Sequence, residues 1–234
     1  SSAMPAIHVA AKTGDQAALA TCLKEKHVNV DAKCPKDDDV AKGENSNMTP
    51  LMFAARFGNA DCCKMLMGAK ADIECGDAES STAVMHACRQ GQLDCLKLLA
   101  KAKADLTKQD ASGATAVMYA CEGGQAHCLK YLMGYGPNVN AHDGQGVSAI
   151  TCAAAGGHAD CLRQLLLHKV DVEQPDIQGR TACMYASAGG HLDALQVLLE
   201  AKANTAAKDK EDKTAANYAS SRAHKECVKA LVQA

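Results

Sequence analysis

Cysteine and histidine are the residues of this chain best suited to chemistry, with 13 Cys and 9 His among 234 residues. Two pairs, His158 with Cys161 and His224 with Cys227, are spaced three residues apart and would share a helix face. Such side chains bind Zn²⁺, which takes four ligands in a structural site. Two ligands do not complete a site, so we predict no metal and no cofactor.

Motifs of common catalytic sites are absent from the sequence, which has no GxSxG, no HExxH and no phosphate-binding glycine loop. We therefore predict that the protein is not an enzyme. An acidic run, Asp37 to Asp39, lies in segment 34–47 but lacks the alternating acids and the closing Glu of an EF-hand calcium loop. This segment is expected to be a solvated loop or a partner contact.

Composition narrows the class of protein. The 25 Lys and Arg against 27 Asp and Glu leave a net charge of -2, which gives no general attraction to nucleic acid or to a membrane. The sequence has no apolar run of the about 18 residues that span a bilayer and no signal peptide. An odd number of Cys then favours free thiols. We expect a protein of the cytoplasm, or one shared with the nucleus, and expect Ser1 to Ala3 to be left over from cloning.

The segments that position these residues repeat with a fixed period. TPLMFAARFGNADCCKMLMGAKAD, TAVMHACRQGQLDCLKLLAKAKAD and TAVMYACEGGQAHCLKYLMGYGPN align without gaps. Copies start every 33 residues, at Thr49, Thr82, Thr115, Ser148, Thr181 and Thr214. A divergent first copy starts at Pro5, ahead of the inserted loop at 34–47. We count seven repeats in one domain over 4–234, with a polar capping repeat at about 213–234.

Each repeat predicts two helices and a loop. Thr or Ser is suited to the N-cap of the first helix, Pro50 to its first helical position, and the Gly nine residues after the Thr to its end. In the second helix, Leu93, Leu96 and Leu99 cover one face. A lone helix pair cannot bury its apolar side, so the repeats must stack. The fold class we predict is an all-α repeat solenoid.

These features resemble the ankyrin-repeat family over nearly the whole chain. The resemblance rests on the 33-residue period, the recurring Gly, Thr49-Pro50-Leu51, the paired Ala54-Ala55 and Ile7-His8 in the first copy. It implies a helix-turn-helix plus a β-hairpin or loop in each repeat, and a concave groove, lined by the first helices, that binds another protein. In size and layout the chain is also similar to gankyrin-like assembly chaperones of the proteasome.

Two positions depart from the family pattern. The Gly that ends the second helix in the left-handed conformation is replaced by Lys26, Lys70, Lys103, Lys169 and Lys202. A non-Gly residue there costs about 1 kcal/mol, and Lys recovers part of it through the helix dipole. The family's His after Leu survives only as His8, and Met, which donates no hydrogen bond, takes its place in most repeats. We expect a softer array with less rigid turns.

The repeat gives the cysteines a structural explanation. One phase of the second helix, where the family has a medium-sized apolar residue, carries Cys62, Cys95, Cys128, Cys161 and Cys227. Equivalent positions of adjacent helices lie about 10 Å apart, too far for a disulfide or a shared metal. We predict core residues.

The feature that points to function is a row of side chains on the first helices. The fourth, seventh and eighth residues after each cap share one face, which in the family lines the groove. The candidate partner-binding residues on it are Phe53, Arg56, Phe57, His86, Arg89, Gln90, Tyr119, Glu122, Tyr185, Tyr218 and Arg222. Aromatic residues and Arg are typical of binding hot spots. The alternative is that these rings only cover the roots of the adjacent hairpins.

A second, basic row lies on the second helices and consists of Lys64, Lys97, Lys130, Arg163 and Lys229. Such a row predicts a solvated face, with an acidic partner as the alternative.

Together these patterns predict a monomeric, non-catalytic scaffold that binds another protein or a peptide through the groove and the hairpin tips. Two alternatives stay open at this point. One is a gankyrin-like assembly chaperone for a proteasomal ATPase, and the other is a thiol- or metal-responsive protein that uses the many Cys.

Overall fold

Helix pairs account for the regular structure of the chain, which was analysed as a computed structural model that describes residues 4–34 and 47–234. Over these ranges there are fourteen helices of seven to nine residues and no β-strand. The helices are α1 Ala6–Thr13, α2 Gln16–Lys24, α3 Pro50–Arg56, α4 Ala60–Gly68, α5 Ala83–Arg89, α6 Leu93–Lys101, α7 Ala116–Glu122, α8 Ala126–Met133, α9 Ala149–Ala155, α10 Ala159–Leu166, α11 Ala182–Gly189, α12 Leu192–Glu200, α13 Ala215–Ser221 and α14 Lys225–Gln233. The all-α prediction is confirmed, and each repeat supplies two helices as expected.

The chain forms two compact units, Ser1–Ser112 (unit 1) and Gly113–Ala234 (unit 2). In unit 1, α3 packs between α1 and α5, and α4 packs between α2 and α6. In unit 2, α7, α9, α11 and α13 form one layer, and α8, α10, α12 and α14 form the other. Each unit is therefore a two-layer stack in which every helix pair buries its apolar side against its neighbours.

Small side chains fill the interior between the layers. Ala54, Ala55, Ala87 and Ala120 are fully buried on the first helices, and Leu residues of the second helices pack beneath them. Small residues let helix backbones approach closely, which explains how a chain with only two Phe and no Trp fills its core.

The first helices begin at the predicted caps. The Oγ1 atoms of Thr49, Thr115 and Thr214 accept a hydrogen bond from the backbone three residues on. Thr82 and Thr181 are also N-caps, but their Oγ1 atoms are buried without a partner, so the predicted side-chain hydrogen bond is missing there. The backbone N–H of Thr82 instead donates to Sδ of Met85.

The same contact occurs one repeat earlier, where Thr49 N–H donates to Met52 Sδ at 3.3 Å. Met donates no hydrogen bond, as expected, but here its sulfur serves as an acceptor. The cost of losing the family's His is therefore partly offset by a weak acceptor at the same position.

Lysine adopts the left-handed conformation where the second helices end. The φ angles of Lys70, Lys103, Lys169 and Lys202 lie between 55° and 66°, which confirms the prediction for these four residues. Lys26 differs, since it is not among the residues with positive φ; α2 ends instead at Glu25 in an extended conformation.

Aspartate organises the loops between repeats. Oδ1 of Asp176 accepts the backbone N–H groups of Gln178 and Arg180, and Oδ1 of Asp209 accepts those of Glu211 and Lys213. Of the β-hairpin or loop that the family resemblance implied, the described residues show loops, with an isolated antiparallel bridge in the segment 142–148.

The two ends of the inserted segment lie side by side. Cys34 N–H donates to the carbonyl oxygen of Met48 at 2.9 Å, and Asn47 N–H donates to that of Cys34 at 3.1 Å. The acidic run Asp37 to Asp39 lies outside the described residues, as do Ser1 to Ala3. The predicted single domain and the C-terminal capping repeat stay predictions.

Candidate partner-binding face

The face that the sequence singled out in unit 1 carries one exposed aromatic ring. Phe57 follows the last residue of α3 and is 44% exposed, whereas Phe53, one turn earlier, is completely buried. The two rings stack with centroids 6.5 Å apart and planes 8° from parallel. Phe53 in turn makes a T-shaped contact with the buried His8 ring, with centroids 5.8 Å apart. A continuous row of rings therefore connects the core of unit 1 to its surface at Phe57.

Two cations flank that exposed ring. Nζ of Lys12 lies 5.5 Å from the centroid of Phe57, and Cζ of Arg56 lies 5.9 Å from it. Both distances are within the range of cation–π attraction. Positive charge therefore lies over the ring, and Lys12 belongs to the site although it was not among the predicted residues. It could have been found, because it stands seven residues after Pro5, the same position as Arg56 after Thr49.

The three candidates at α5 differ in exposure: His86 is buried, whereas Arg89 and Gln90 are exposed. The His86 ring is only 8% exposed, and its Nε2 lies 2.8 Å from Oδ2 of the equally buried Asp77. Arg89 and Gln90 are exposed at the end of α5. His86 therefore fastens α5 to the preceding loop, while the other two side chains reach solvent.

In unit 2 the same loop position holds the tyrosines. Tyr185 O–H donates to Oδ2 of Asp176 at 2.7 Å, and Tyr218 O–H donates to Oδ2 of Asp209 at 2.6 Å. Both rings are half-buried. The hydroxyl group of each tyrosine is therefore tied to the loop that precedes its helix.

The pKa values of the two tyrosines are raised, whereas the pKa of Asp176 is lowered. Burial, together with the hydrogen bond to Asp176, raises the pKa of Tyr185 to about 12. The hydrogen bond to Asp209, with burial, raises the pKa of Tyr218 to about 12. Burial opposes ionisation of Asp176, but hydrogen bonds from Tyr185 and Arg180 outweigh it and lower the pKa of that carboxyl group. At neutral pH the tyrosines are neutral donors and Asp176 is a carboxylate.

A cavity opens beside the two tyrosines. It measures about 240 Å³ and lies entirely within unit 2. Tyr185, Tyr218 and Arg222, three of the predicted partner-binding residues, line it together. The remaining two candidates in unit 2 are Tyr119, which is half-buried on α7, and Glu122, which is exposed at the end of that helix.

The aspartates nine residues before these first-helix side chains are the site residues that sequence reasoning missed. Asp77, Asp176 and Asp209 hold His86, Tyr185 and Tyr218 respectively. The signal was present, since Asp recurs at 77, 110, 143, 176 and 209 with the 33-residue period. In Asp77, Asp176 and Asp209, forming the turn uses one carboxylate oxygen, and the second oxygen holds the side chain of the following helix.

The cysteines that share one phase of the second helix lie in the core. Cys62, Cys95, Cys128, Cys161 and Cys227, which share one phase, are at most 2% exposed, as the sequence predicted. One contact was not anticipated. The Cys63 thiol donates to Sγ of Cys95 at 3.8 Å, and this hydrogen bond, with burial, raises the pKa of Cys63.

The histidines considered as metal ligands have other partners. Nε2 of His158 donates to the carbonyl oxygen of Glu122, and His224 donates to that of Ala188, each 36 residues earlier. They tie one repeat to the preceding one. Among residues 4–34 and 47–234, no group of three or more His, Cys, Asp or Glu side chains is placed to hold a metal ion.

Three members of the basic row on the second helices pair closely with acids of their own helices. Lys64 contacts Asp61, Arg163 contacts Asp160 and Lys229 contacts Glu226, all at 2.8 Å and all exposed. Exposed pairs of this kind contribute little to stability. They favour the solvated-face interpretation.

None of the described helices has the length and apolar character needed to span a membrane.

Comparisons with known proteins agree with this architecture. A family model described as ankyrin repeats, in three copies, matches residues 2–77, 51–143, 84–176, 117–209 and 152–234. No curated protein matches the chain. The crystal structure of the human ASB11 ankyrin repeat domain is similar, with a TM-score of 0.83 and 20% identity over 98% of this chain and 97% of that chain. At this identity the likeness shows the fold.

Proposed function

The chain belongs to the ankyrin-repeat family, and from this premise we propose that it is a non-catalytic scaffold that binds a partner protein or peptide through the face of its first helices. Ankyrin repeats are general protein–protein interaction modules. Fold alone does not select a partner, so the proposal depends on particular side chains.

The observation that carries the proposal is the state of Phe57. Its ring is 44% exposed, yet it is held by the stacked ring of Phe53 and by the flanking cations of Lys12 and Arg56. A ring that is already ordered loses little conformational entropy when a partner covers it. Aromatic residues beside Arg are also enriched among binding hot spots. Phe57 is therefore suited to be an anchor.

The test is affinity purification with the wild type and with Phe57→Ala, followed by quantitative mass spectrometry of the bound proteins. We expect a partner retained by the wild type and reduced about tenfold by Phe57→Ala, in line with the cost of truncating a hot spot. Tyr119→Ala tests a predicted partner-binding residue on a first helix of unit 2.

Leu167→Ala is the matched control. Leu167 lies at the end of α10, is 74% exposed and is not on a first helix, so its truncation removes a similar apolar surface elsewhere. Helical content measured by circular dichroism should be unchanged in all three variants. Partners that bind Phe57→Ala and Tyr119→Ala as well as the wild type would refute the proposed face.

A finer role as a gankyrin-like assembly chaperone rests on the layout of the repeats alone, and copurification with a proteasomal ATPase tests it. We also propose a monomer located in the cytoplasm or nucleus. None of the 13 cysteines lies in a disulfide, which supports a reducing compartment. Cell fractionation would test the location, and size-exclusion chromatography would test the oligomeric state.

A further inference from the structure

The cavity in unit 2 has a floor and walls of definite chemistry. It opens where α11 and α13 lie side by side, and its volume of about 240 Å³ exceeds that of the roughly 150 Å³ apolar cavity that holds a benzene molecule. The lining residues are Ala155, Arg180, Met184, Tyr185, Ala188, Gly189, Tyr218 and Arg222. Small and apolar groups form the greater part of this lining, so the cavity has room for one medium-sized apolar side chain.

Two guanidinium groups are fixed in its lining. Arg180 is held by Asp176, whose Oδ2 accepts from Nε at 2.8 Å and from Nη2 at 2.7 Å, and its Cζ lies 5.0 Å from the centroid of the Tyr185 ring. Its side chain nevertheless stays 37% exposed. Arg222 is exposed, and its Nη1 donates to the carbonyl oxygen of Ala188 at 3.2 Å. Both cations therefore reach solvent from defined positions.

The two carboxylates nearest the cavity are buried and already accept hydrogen bonds. The side chain of Asp176 is only 1% exposed, and both its oxygens accept hydrogen bonds from the loop, Arg180 and Tyr185. Asp209 is also buried and accepts from the Tyr218 hydroxyl and the backbone of its own loop. The tyrosine hydroxyls are engaged as donors to these two groups. What the cavity presents to a ligand is therefore apolar surface with two guanidinium groups.

We propose that this cavity is a docking pocket for an acidic–apolar segment of a partner protein. One apolar side chain enters the cavity, and the carboxylate of an Asp or Glu one or two positions away pairs with Arg222 and the exposed part of Arg180. Arginine binds carboxylates with directional, charge-assisted hydrogen bonds, and the apolar floor selects against a fully polar segment. This inference rests on the proposed function, because it names the chemistry of a partner that such a scaffold binds.

The test uses the full chain and a positional-scanning library of fluorescein-labelled hexapeptides, each pool fixed at one position, read by fluorescence anisotropy. We expect the strongest pools to be those fixed as Asp or Glu and those fixed as Leu, Ile or Phe at a neighbouring position. Arg222→Glu should weaken the acidic pools about tenfold or more, and Ala188→Met, which fills the cavity, should weaken the apolar pools.

The matched control is Arg163→Glu. Arg163 lies in the same unit on α10, outside the cavity, and is exposed and paired with Asp160. It makes the same change in net charge, so it should leave the ranking of the pools unchanged. Circular dichroism checks that all variants fold.

Three results would overturn the pocket: no pool binds, the ranking is the same for Arg222→Glu and the wild type, or pools fixed as phosphoserine bind best. Failure here is distinguishable from failure of the proposed function. If Phe57→Ala loses a native partner while Arg222→Glu and Ala188→Met keep it, the scaffold stands and the pocket does not.

Discussion

The hydroxyl group of Tyr185 donates a 2.7 Å hydrogen bond to Oδ2 of Asp176, which lies nine residues earlier in the loop before α11. Tyr218 and Asp209 repeat this relationship one repeat later at 2.6 Å, and His86 and Asp77 show it in unit 1 at 2.8 Å. In each case the other carboxylate oxygen accepts hydrogen bonds from backbone N–H groups of the loop. One aspartate thus fixes both the loop and the first-helix side chain beside the candidate binding face.

Removing the Tyr185 hydroxyl should destabilise unit 2. Tyr185→Phe takes a donor from a buried carboxylate, so the free energy of unfolding should fall by about 1–2 kcal/mol. Urea denaturation followed by circular dichroism measures it. Tyr135→Phe is the control, because the Tyr135 hydroxyl pairs with the Tyr131 hydroxyl at the surface. It should change stability by less than about 0.5 kcal/mol. Equal effects of the two variants would contradict the structural role of the Asp176 contact.

Acidification should weaken unit 1 through His8. The imidazole is completely buried, and its Nε2 donates to the carbonyl oxygen of Ala32 at 2.8 Å. Burial lowers the pKa of His8. The unfolded chain therefore takes up a proton first as the pH falls through about 6.5. The stability due to neutral His8 is fully present above that value and is lost as the pH drops towards the lower folded-state pKa.

The measurement is the free energy of unfolding between pH 7 and pH 5, which should fall more steeply in the wild type than in His8→Leu. His27→Gln, which replaces an exposed histidine of the same unit, should keep the wild-type slope. If His8→Leu has that slope too, the titration belongs to another group.

Glycine at a left-handed helix end should stabilise the chain. Lys103 is exposed and has φ of 66°, a conformation that glycine adopts without the steric penalty of a side chain. Lys103→Gly should therefore raise the free energy of unfolding by about 0.5–1 kcal/mol. Lys97→Gly, at an exposed position in the middle of α6, should lower it by a similar amount, because glycine costs about 1 kcal/mol in a helix interior. Opposite signs in thermal denaturation are the expected result, and a loss of stability in Lys103→Gly would contradict it.

Alkylation should distinguish one cysteine from the others. Cys75 and Cys152 are half-buried, and the other cysteines are buried. Burial raises the pKa of both thiols, and that of Cys152 reaches about 12, so Cys152 stays protonated and unreactive. Native protein treated with iodoacetamide should thus be modified first at Cys75, as peptide mapping by mass spectrometry would show. Modification of Cys63 or Cys95 at the same rate would restore the thiol-responsive alternative.

Much of the fold follows from the positions of particular residues along the chain. The 33-residue period placed the helix starts near Thr49, Thr82 and Thr115, because caps and apolar spacing act within one helix. It also predicted the burial of Cys62 and Cys95. Lys26 was predicted wrongly, since an extended Glu25 ends α2 before that residue is reached.

The candidate site could be predicted less completely. The sequence put Phe53 and Phe57 on one helix face, but Phe53 is fully buried and Phe57 is exposed. Helix periodicity gives the direction of a side chain from its own axis, and it does not say which neighbouring side chains cover it.

The sequence by itself determined the repeat, the helix pairs and the phase of the core, because these depend on interactions between residues close along the chain. Only the tertiary structure decided that Cys63 meets Cys95 across 32 residues, that His158 reaches Glu122 across 36, and that Arg180 and Arg222 border one cavity. These contacts depend on the offset between stacked repeats and on side-chain rotamers. A linear pattern of residue types specifies neither.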